Sequence, residues 1–474
     1  MPEIYEHENY SIALPDVKKV RDFLEGEPAV KRHGTTYLPH PNTAQKSDPG
    51  QSQRYQDYLM GGEVEDFPAR TLESMLGRLN RNKPKVEIPA QIQYLIDDSD
   101  GDGMSLNEAV ELSASNALAV NYHIVLCEYT RLPENLKDIS REQKENLKLR
   151  ASFKHYLREQ LRDWSFEKVN DRMQLVYAKL VTSDNCHFED TRYLQTTVLE
   201  LMLDSEGYRQ KITVYHDEDV DRSEEIRPTV NGRPLPFIPM EIITADRHRP
   251  GCLPIKTGYI APLVYKAHHR YQVSADLKEK LRIMQDTSYS SGWSEAKKEE
   301  FETINGRDYF AMGAGVHNFM PDGVEIDILK MQADGDAHFK YLEENTRQVQ
   351  AIGGNYGATD REKTATEVRQ ESAEELAELN LLANNLDECF SRLIRYAMIF
   401  EGVNADFEFS VNREFVDTKL TTEEIKAIRE LYLDGLISKL AAIQKLIDGG
   451  FLKGDAEEIL EQAEQDMPVP LLNN

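Results

Sequence analysis

The sequence predicts an α+β fold on three observations. A central stretch, 122–240, is mostly strand-like, helical periodicity lies on both sides of it, and one helical run, 361–401, is longer than a compact domain needs. The 474 residues suffice for roughly three domains, or for one large core with appended modules. A hydrophobic content of 40% with 22 Tyr and 16 Phe argues against disorder.

Each element has its own signal. Residues 1–50 combine a helix near 15–24 with HGTTYLPHPNTAQKSDPG, a Pro/His/Gly-rich stretch that reads as an extended arm. From 53 to 81, Tyr55, Leu59, Leu72, Met75, Leu76 and Leu79 keep near-helical spacing until Pro84 and Pro89 close the run. IQYLI then leads into the polar DDSDGDG, and a helix follows over 106–120. YHIVLCEY, MQLVYAKL, TTVLELML and QKITVY are rich in β-branched and aromatic residues and predict strands. Among them, REQKENLKLRASFKHYLREQLRDW (141–164) predicts an arginine-rich helix. PLPFIPMEII, with its three prolines, fits an edge strand or a linker.

The C-terminal half reads as helices around a small insertion. Over 262–285, Leu263, Ala267, Tyr271, Ser274, Leu277 and Leu281 share one side of a helix. A Ser/Gly-rich break at 288–292 precedes a charged helical piece, 295–302, and the strand-like RDYFAM and VEIDILKM. Another helix spans 337–352, and the loop GGNYGATD separates it from the long one, where Thr359 and Glu362 have capping-box spacing. There Leu376, Leu379, Leu382, Leu386, Phe390, Leu393, Ala397 and Phe400 alternate steps of three and four until Gly402. A helix over 361–401 would be about 60 Å long. After Phe415 the tail predicts three short helices, punctuated by Asp434-Gly435, Gly449-Gly450 and Gly454.

Charge excludes one function class. With 56 Lys+Arg against 83 Asp+Glu the formal charge is −27, whereas a protein that grips nucleic acid needs surplus cations. Cys127, Cys186, Cys252 and Cys389 lie more than fifty residues apart, so they form no zinc motif or disulfide framework, which fits a reducing compartment. The N-terminus lacks a secretory signal. The longest mostly apolar stretch, 116–127, is well short of the ~20 residues of a spanning helix. The expectation is a soluble protein made in a cytoplasm, with no membrane partner.

Local motifs carry little chemistry. In DDSDGDGMSLNE, Asp98, Asp100, Asp102 and Gly103 match the first half of an EF-hand loop and make a calcium candidate. The closing acid should come six residues after the glycine, but Glu108 comes five after it; Ser105 and Glu108 instead have capping-box spacing. His268 and His269 are adjacent and point about 100° apart on a helix, unlike a zinc pair, so they read as structural. GAGVHN (313–318) has two of the three glycines of a dinucleotide fingerprint and no supporting context. No HExxH, GxSxG or Walker-type motif occurs, so neither enzyme nor cofactor is expected. The helices 262–285 and 337–352, with a module at their tip, would be poorly buried alone and call for an oligomer.

In the order and spacing of these features the chain resembles the portal proteins of tailed bacteriophages, in the branch long known only as a phage family of unknown function. The resemblance covers about 55–465. It rests on NRNKPKVEIPAQIQYLIDDSDGDGMSLNEA, on PLPFIPMEII followed by PLVYKAHHRYQVSADLKEKL, on EKTATEVRQESAEELAELNLLANNLDECFSRLIRYAMIFEG, and on LTTEEIKAIRELYLDGLISKLAAIQKLIDGGFL. The acidic insertions near 131–145 and 183–224 and the polar tip segment depart from the family.

The resemblance implies a ring of twelve copies at one capsid vertex, assembled in the host cytoplasm, with double-stranded DNA passing through its channel. It implies a wing at 1–260 (N-terminal arm 1–50), stem helices at 261–285 and 334–352, a clip at 286–333, a tunnel loop at 353–360, a long wing helix with its following strand at 361–414, and a helical crown at 415–474. Partners would be the terminase motor, which hydrolyses ATP in place of this chain, the major capsid protein, and adaptor or tail proteins. DNA-channel candidates are Lys278, Lys280 and Arg282 on the stem, Gly353, Gly354, Asn355 and Tyr356 in the loop, and Arg361 and Lys363 after it; any of these cations could equally be solvated surface charge. Trp293, Lys297 and Lys298 are the clip docking candidates, although a lone tryptophan is more often core. Two rivals stay open: a scaffolding or calcium-stabilised virion protein without a channel, and a divalent-metal nuclease.

Overall fold

A computed structural model describes residues 5–41, 49–130, 149–186, 191–202, 206–216, 219–230, 232–247, 251–283, 287–309, 317–329, 336–351, 365–415, 422–448 and 459–460. The chain divides into two compact units: Met1–Gly77 with Pro84–Val411, and Arg78–Lys83 with Asn412–Asn474.

The first helix, α1 (Glu8–Glu25), begins where His7 Nδ1 accepts from the Asn9 amide, earlier than the sequence suggests and with Pro15 inside it. Tyr10, Ala13, Val17, Val20 and Phe23 form its buried stripe. After α2 (Glu27–Arg32) the first part of the expected extended arm is packed. Residues 34–36 make a 3-10 turn, Tyr37 and Leu38 are buried, and Tyr37 Oη donates to Asp22. Two large apolar side chains outweigh the polar composition around them.

The run 53–81 is two helices, α3 (Pro49–Gly61) and α4 (Phe67–Leu79). They part at Gly62, whose backbone passes so close to Tyr271 that a Cβ there would lie 2.4 Å from the ring. β1 (Lys85–Glu87) precedes a 3-10 turn at Ala90–Ile96. α5 (Leu106–Val120) then starts from a reciprocal capping box between Ser105 and Glu108.

β2 (Tyr122–Tyr129) is the middle strand of an antiparallel sheet, between β3 (Ala151–Tyr156) and the edge strand β11 (Met240–Thr244). The expected helix at 141–164 is overturned across 151–164, where the chain forms β3, a short 3-10 turn and the start of β4 (Leu161–Val169). Leu149, Phe153, Leu157, Leu161 and Trp164 do fall at helical spacing. Leu157 is nonetheless exposed, while Ala151 and Phe153, two apart, are buried beside β2. Sheet pairing won over local periodicity.

β4, β5 (Arg172–Cys186), β6 (Thr191–Met202), β7 (Gly207–His216) and β8 (Asp219–Ile226) form a five-stranded antiparallel meander, so much of the acidic insertion is ordered sheet. β9 (Thr229–Val230) and β10 (Arg233–Pro234) add a small hairpin. Tyr122, Ile124 and Leu126 of β2 join Leu161, Ala178 and Leu199 of the meander in one core cluster.

α6 (Ala261–Ile283), β12 (Thr287–Ser291), α7 (Glu295–Asn305), β13 (Glu325–Leu329) and α8 (Asp336–Ala351) make a helical hairpin with a small module between its arms. The Ser/Gly-rich break expected at 288–292 is thus mostly strand β12, recruited by its pairing with β13. α9 (Ala365–Glu401) has 37 residues, about 55 Å of helix, and ends at Gly402 in the left-handed region. β14 (Glu408–Ser410) pairs with β1. In the second unit, α10 (Thr422–Leu433) and α11 (Lys439–Asp448) are two of the three expected tail helices, and residues 459–460 are also helical. There Asn412 bonds Asn82 and the Arg78 carbonyl.

Candidate functional site: the helical hairpin and its tip

The proximal half of α6 is built into the molecule. Ala261, Leu263, Val264, Ala267, Tyr271 and Ala275 are buried where the helix packs on α1, α3 and α8. Polar contacts fix its azimuth: Tyr58 Oη donates to Asp276 at 2.6 Å, and Arg54 Nε donates to Glu279 at 2.8 Å. Burial first, then the Asp276 carboxylate, push the Tyr58 phenol up, so it stays a donor. His268 lies edge-on to Phe23 and Tyr37 and bonds the Tyr37 carbonyl at 2.8 Å, with burial pushing its pKa down. These contacts match the expected structural reading of that histidine.

One buried cation ties the hairpin together. Arg270 Nη2 meets Glu65 Oε1 at 2.6 Å, and its Nη1 donates to the Leu342 carbonyl at 2.8 Å and to Thr346 Oγ1 at 2.9 Å. A planar cation whose donors diverge suits a joint between a carboxylate oxygen and another helix. Sequence reading missed this residue, because nothing in the pattern around Arg270 marks it as buried.

Farther out, the hairpin loses its cover. Leu281 is 50% exposed, Phe339 52% and Tyr341 42%. Of the charged candidates here, Lys278 Nζ pairs with Glu63 at 2.6 Å and Lys280 Nζ lies 3.5 Å from His338 Nδ1. The Arg282 side chain, Gly353, Gly354, Asn355, Tyr356, Arg361 and Lys363 lie outside the described residues.

The tip is a two-stranded ribbon closed by α7. Gly292 has φ +81° and its Cβ would lie 2.5 Å from the Gly323 carbonyl oxygen, so the ribbon end tolerates no side chain there. Ser294 caps α7 and Gly306 ends it in the left-handed region. Trp293 meets buried Phe301 edge-on at 5.5 Å and donates from Nε1 to Ser290 Oγ at 2.6 Å. Lys297 Nζ donates to the Gly292 carbonyl at 3.1 Å, while Lys298 is exposed. Trp293 and Lys297 thus also serve the module's own packing.

Two other polar clusters stand out, one of them the calcium candidate of the sequence. At 98–104, Asp98 Oδ1 accepts from the Gly103 amide and Asp100 Oδ1 from the Asp102 and Met104 amides. Arg150 pairs with Asp98, and Lys154 Nζ reaches the Asp100 carbonyl at 2.7 Å and Asp102 at 3.3 Å. Side-chain cations therefore sit where calcium was considered, and no metal-ligating group of three or more His, Cys, Asp or Glu side chains occurs among the described residues. Deep in the sheet, His123 Nε2 and His155 Nδ1 are 3.0 Å apart in stacked rings. Burial, then the neighbouring ring, push His123 down to about 3, and burial pushes His155 down to about 4. Both stay neutral at ordinary pH.

Among the described residues, no helix is long and apolar enough to cross a membrane. Residues 260–401, from α6 to the end of α9, match a family described as a domain of unknown function, DUF4055. No curated protein matches the chain. Among solved structures, it is similar to a chain of the virion of a native gene transfer agent particle. The TM-score is 0.42 and the identity 11%, over 84% of this chain and 94% of that one. A chain in the neck of the empty particle gives 0.41 and 10%, and one in the neck of the native particle, computed with C12 symmetry, 0.40 and 10%; each covers 84% of this chain and 93% of the other.

Proposed function

We propose that this chain is the subunit of a portal ring: twelve copies around a channel at one capsid vertex, through which double-stranded DNA enters during packaging and leaves during ejection. The observation that carries the proposal is the hairpin of α6 and α8. Its proximal half is locked by Arg270 and its distal half leaves Leu281, Phe339 and Tyr341 uncovered. Helices of this kind need neighbours, and a ring of copies supplies them on both sides. In the portal reading, α6 and α8 are the stem, the tip is the clip and α9 is a spoke.

In this reading the chain is a conduit and a docking platform, and ATP hydrolysis belongs to a separate motor. DNA must slide, so an acidic wall with few cations suits it better than a gripping surface. Lys278 already pairs with Glu63, which leaves it a weak contact for phosphate. Imaging of the purified protein by electron microscopy tests the proposal: rings with an axial hole are expected, and a protein that stays monomeric or forms solid particles would overturn it.

A further inference from the structure

A second buried cation lies at the root of the hairpin. Arg158, in the turn between β3 and β4, is 3% exposed, and burial works against its charge. Its guanidinium donates to four backbone carbonyls. Nη1 reaches those of Val120 and, at 3.0 Å, Lys256; Nη2 reaches those of Pro254 at 3.1 Å and Ile255 at 2.8 Å. The same group lies over the Tyr122 ring, 4.5 Å from its centroid. Val120 ends α5, where the last carbonyls have no partner within the helix and a cation is favoured. Residues 254–256 belong to no helix or strand, so their carbonyls also need a partner from elsewhere.

From this cradle the chain runs directly into α6. Asn121, at φ +80°, donates from Nδ2 to the Lys256 carbonyl at 3.1 Å and to Asp246 at 2.9 Å, and Lys256 pairs with Asp246 at 2.9 Å. A Cβ on Gly258 would lie 2.3 Å from the Leu118 carbonyl oxygen, and the Ile260 amide donates to that same carbonyl at 3.3 Å. Ile260, Ala261, Leu263 and Val264 are then buried. We infer that Arg158 is a positioning residue, which gathers the carbonyls of 254–256 onto the end of α5 and so sets the direction in which the hairpin leaves the sheet. Without the guanidinium those buried carbonyls lose their donor, and the segment must take another course to recover one. Lysine is no substitute, because a point charge on a flexible stem lacks the fixed fork of donors that four carbonyls require.

The inference deepens the portal reading, since in a ring the direction of each hairpin sets its angle to the next, and the test keeps the two apart. Hydrogen exchange read by mass spectrometry should be roughly tenfold faster at 256–264 in Arg158→Gly than in wild type, with β5, β6 and β7 little changed. Guanidinium ion at low millimolar concentration should refill the cradle and restore the protection, while sodium should not. Arg158→Lys should exchange fast at 256–264 with or without guanidinium, and it carries the comparison should the Gly variant fail to fold. Equal acceleration along the whole chain would make Arg158 a general stabiliser and overturn the inference. Wild-type protection at 256–264 in the Lys variant, or a folded Gly variant that guanidinium does not restore, would overturn it too. In electron micrographs, rings of the Lys variant should vary in subunit number where wild-type rings are uniform, and equally uniform rings would count against it. Wild-type chains that form no rings would overturn the portal reading and leave the exchange result, and the role of Arg158, standing.

Discussion

The sheet core and the helical hairpin meet the same demand, cover for apolar surface, in opposite ways. Around β2 the chain covers itself. The meander takes one face, and α5 and α9 pack from the other side, where Glu241 bonds Arg392 at 2.9 Å and Tyr396 at 2.7 Å. Burial pushes that carboxyl up, and Arg392 opposes the shift. In the hairpin the half nearest the core is covered, while Leu281, Phe339 and Tyr341 face solvent. One region is covered within a single chain and the other leaves apolar side chains exposed, so the portal proposal assigns folding to the first and assembly to the second.

Substitutions can break that contrast at either end. The largest effect is expected in the core, where Phe390 is fully buried and stacks on Phe409 at 5.6 Å. Phe390→Ala should cost about 3–5 kcal/mol in denaturant unfolding; a loss under about 1 kcal/mol would mean that α9 does not pack into the core at Phe390.

Acid should act on the same core through His123 and His155. Both folded values, about 3 and about 4, lie below the unfolded value near 6.5, so the unfolded chain takes up protons that the folded chain refuses. Their contribution is complete above pH 6.5. As the pH falls toward 4 it should decline by about 1.4 kcal/mol per pH unit for each histidine. The double change to Gln should flatten unfolding profiles over that window, and an unaltered slope would contradict the buried neutral pair.

At the join between the regions, Gly62→Ala would push a methyl into Tyr271 and should cost about 1–3 kcal/mol. If its melting temperature matches wild type, the close approach of α3 and α6 is wrong. The smallest effect on folding is expected in the distal hairpin. Leu281→Ser, Phe339→Ser and Tyr341→Ser should each change monomer unfolding by no more than about 0.5 kcal/mol while reducing self-association in sedimentation. Undiminished association would remove the hairpin from the oligomer.

Residues that act through a single element were legible in the sequence. The three- and four-residue steps from Leu376 to Phe400 gave α9, and Ser105 with Glu108 gave the cap of α5. The candidate site was half legible: the hairpin and tip could be located, but Arg270 could not. Its partners, Glu65, Leu342 and Thr346, lie on other parts of the chain, and no local spacing encodes them. The same blindness explains 141–164, where helical spacing was real but β2 offered a strand partner.

By itself, then, the sequence determined the α+β class, the long helix, the hairpin with its inserted tip, and an acidic balance that excludes a DNA-gripping surface. Tertiary structure alone decided which half of the hairpin is covered and where its buried cation sits. Those outcomes depend on contacts between residues far apart in the chain, and periodicity carries information only about neighbours along one element.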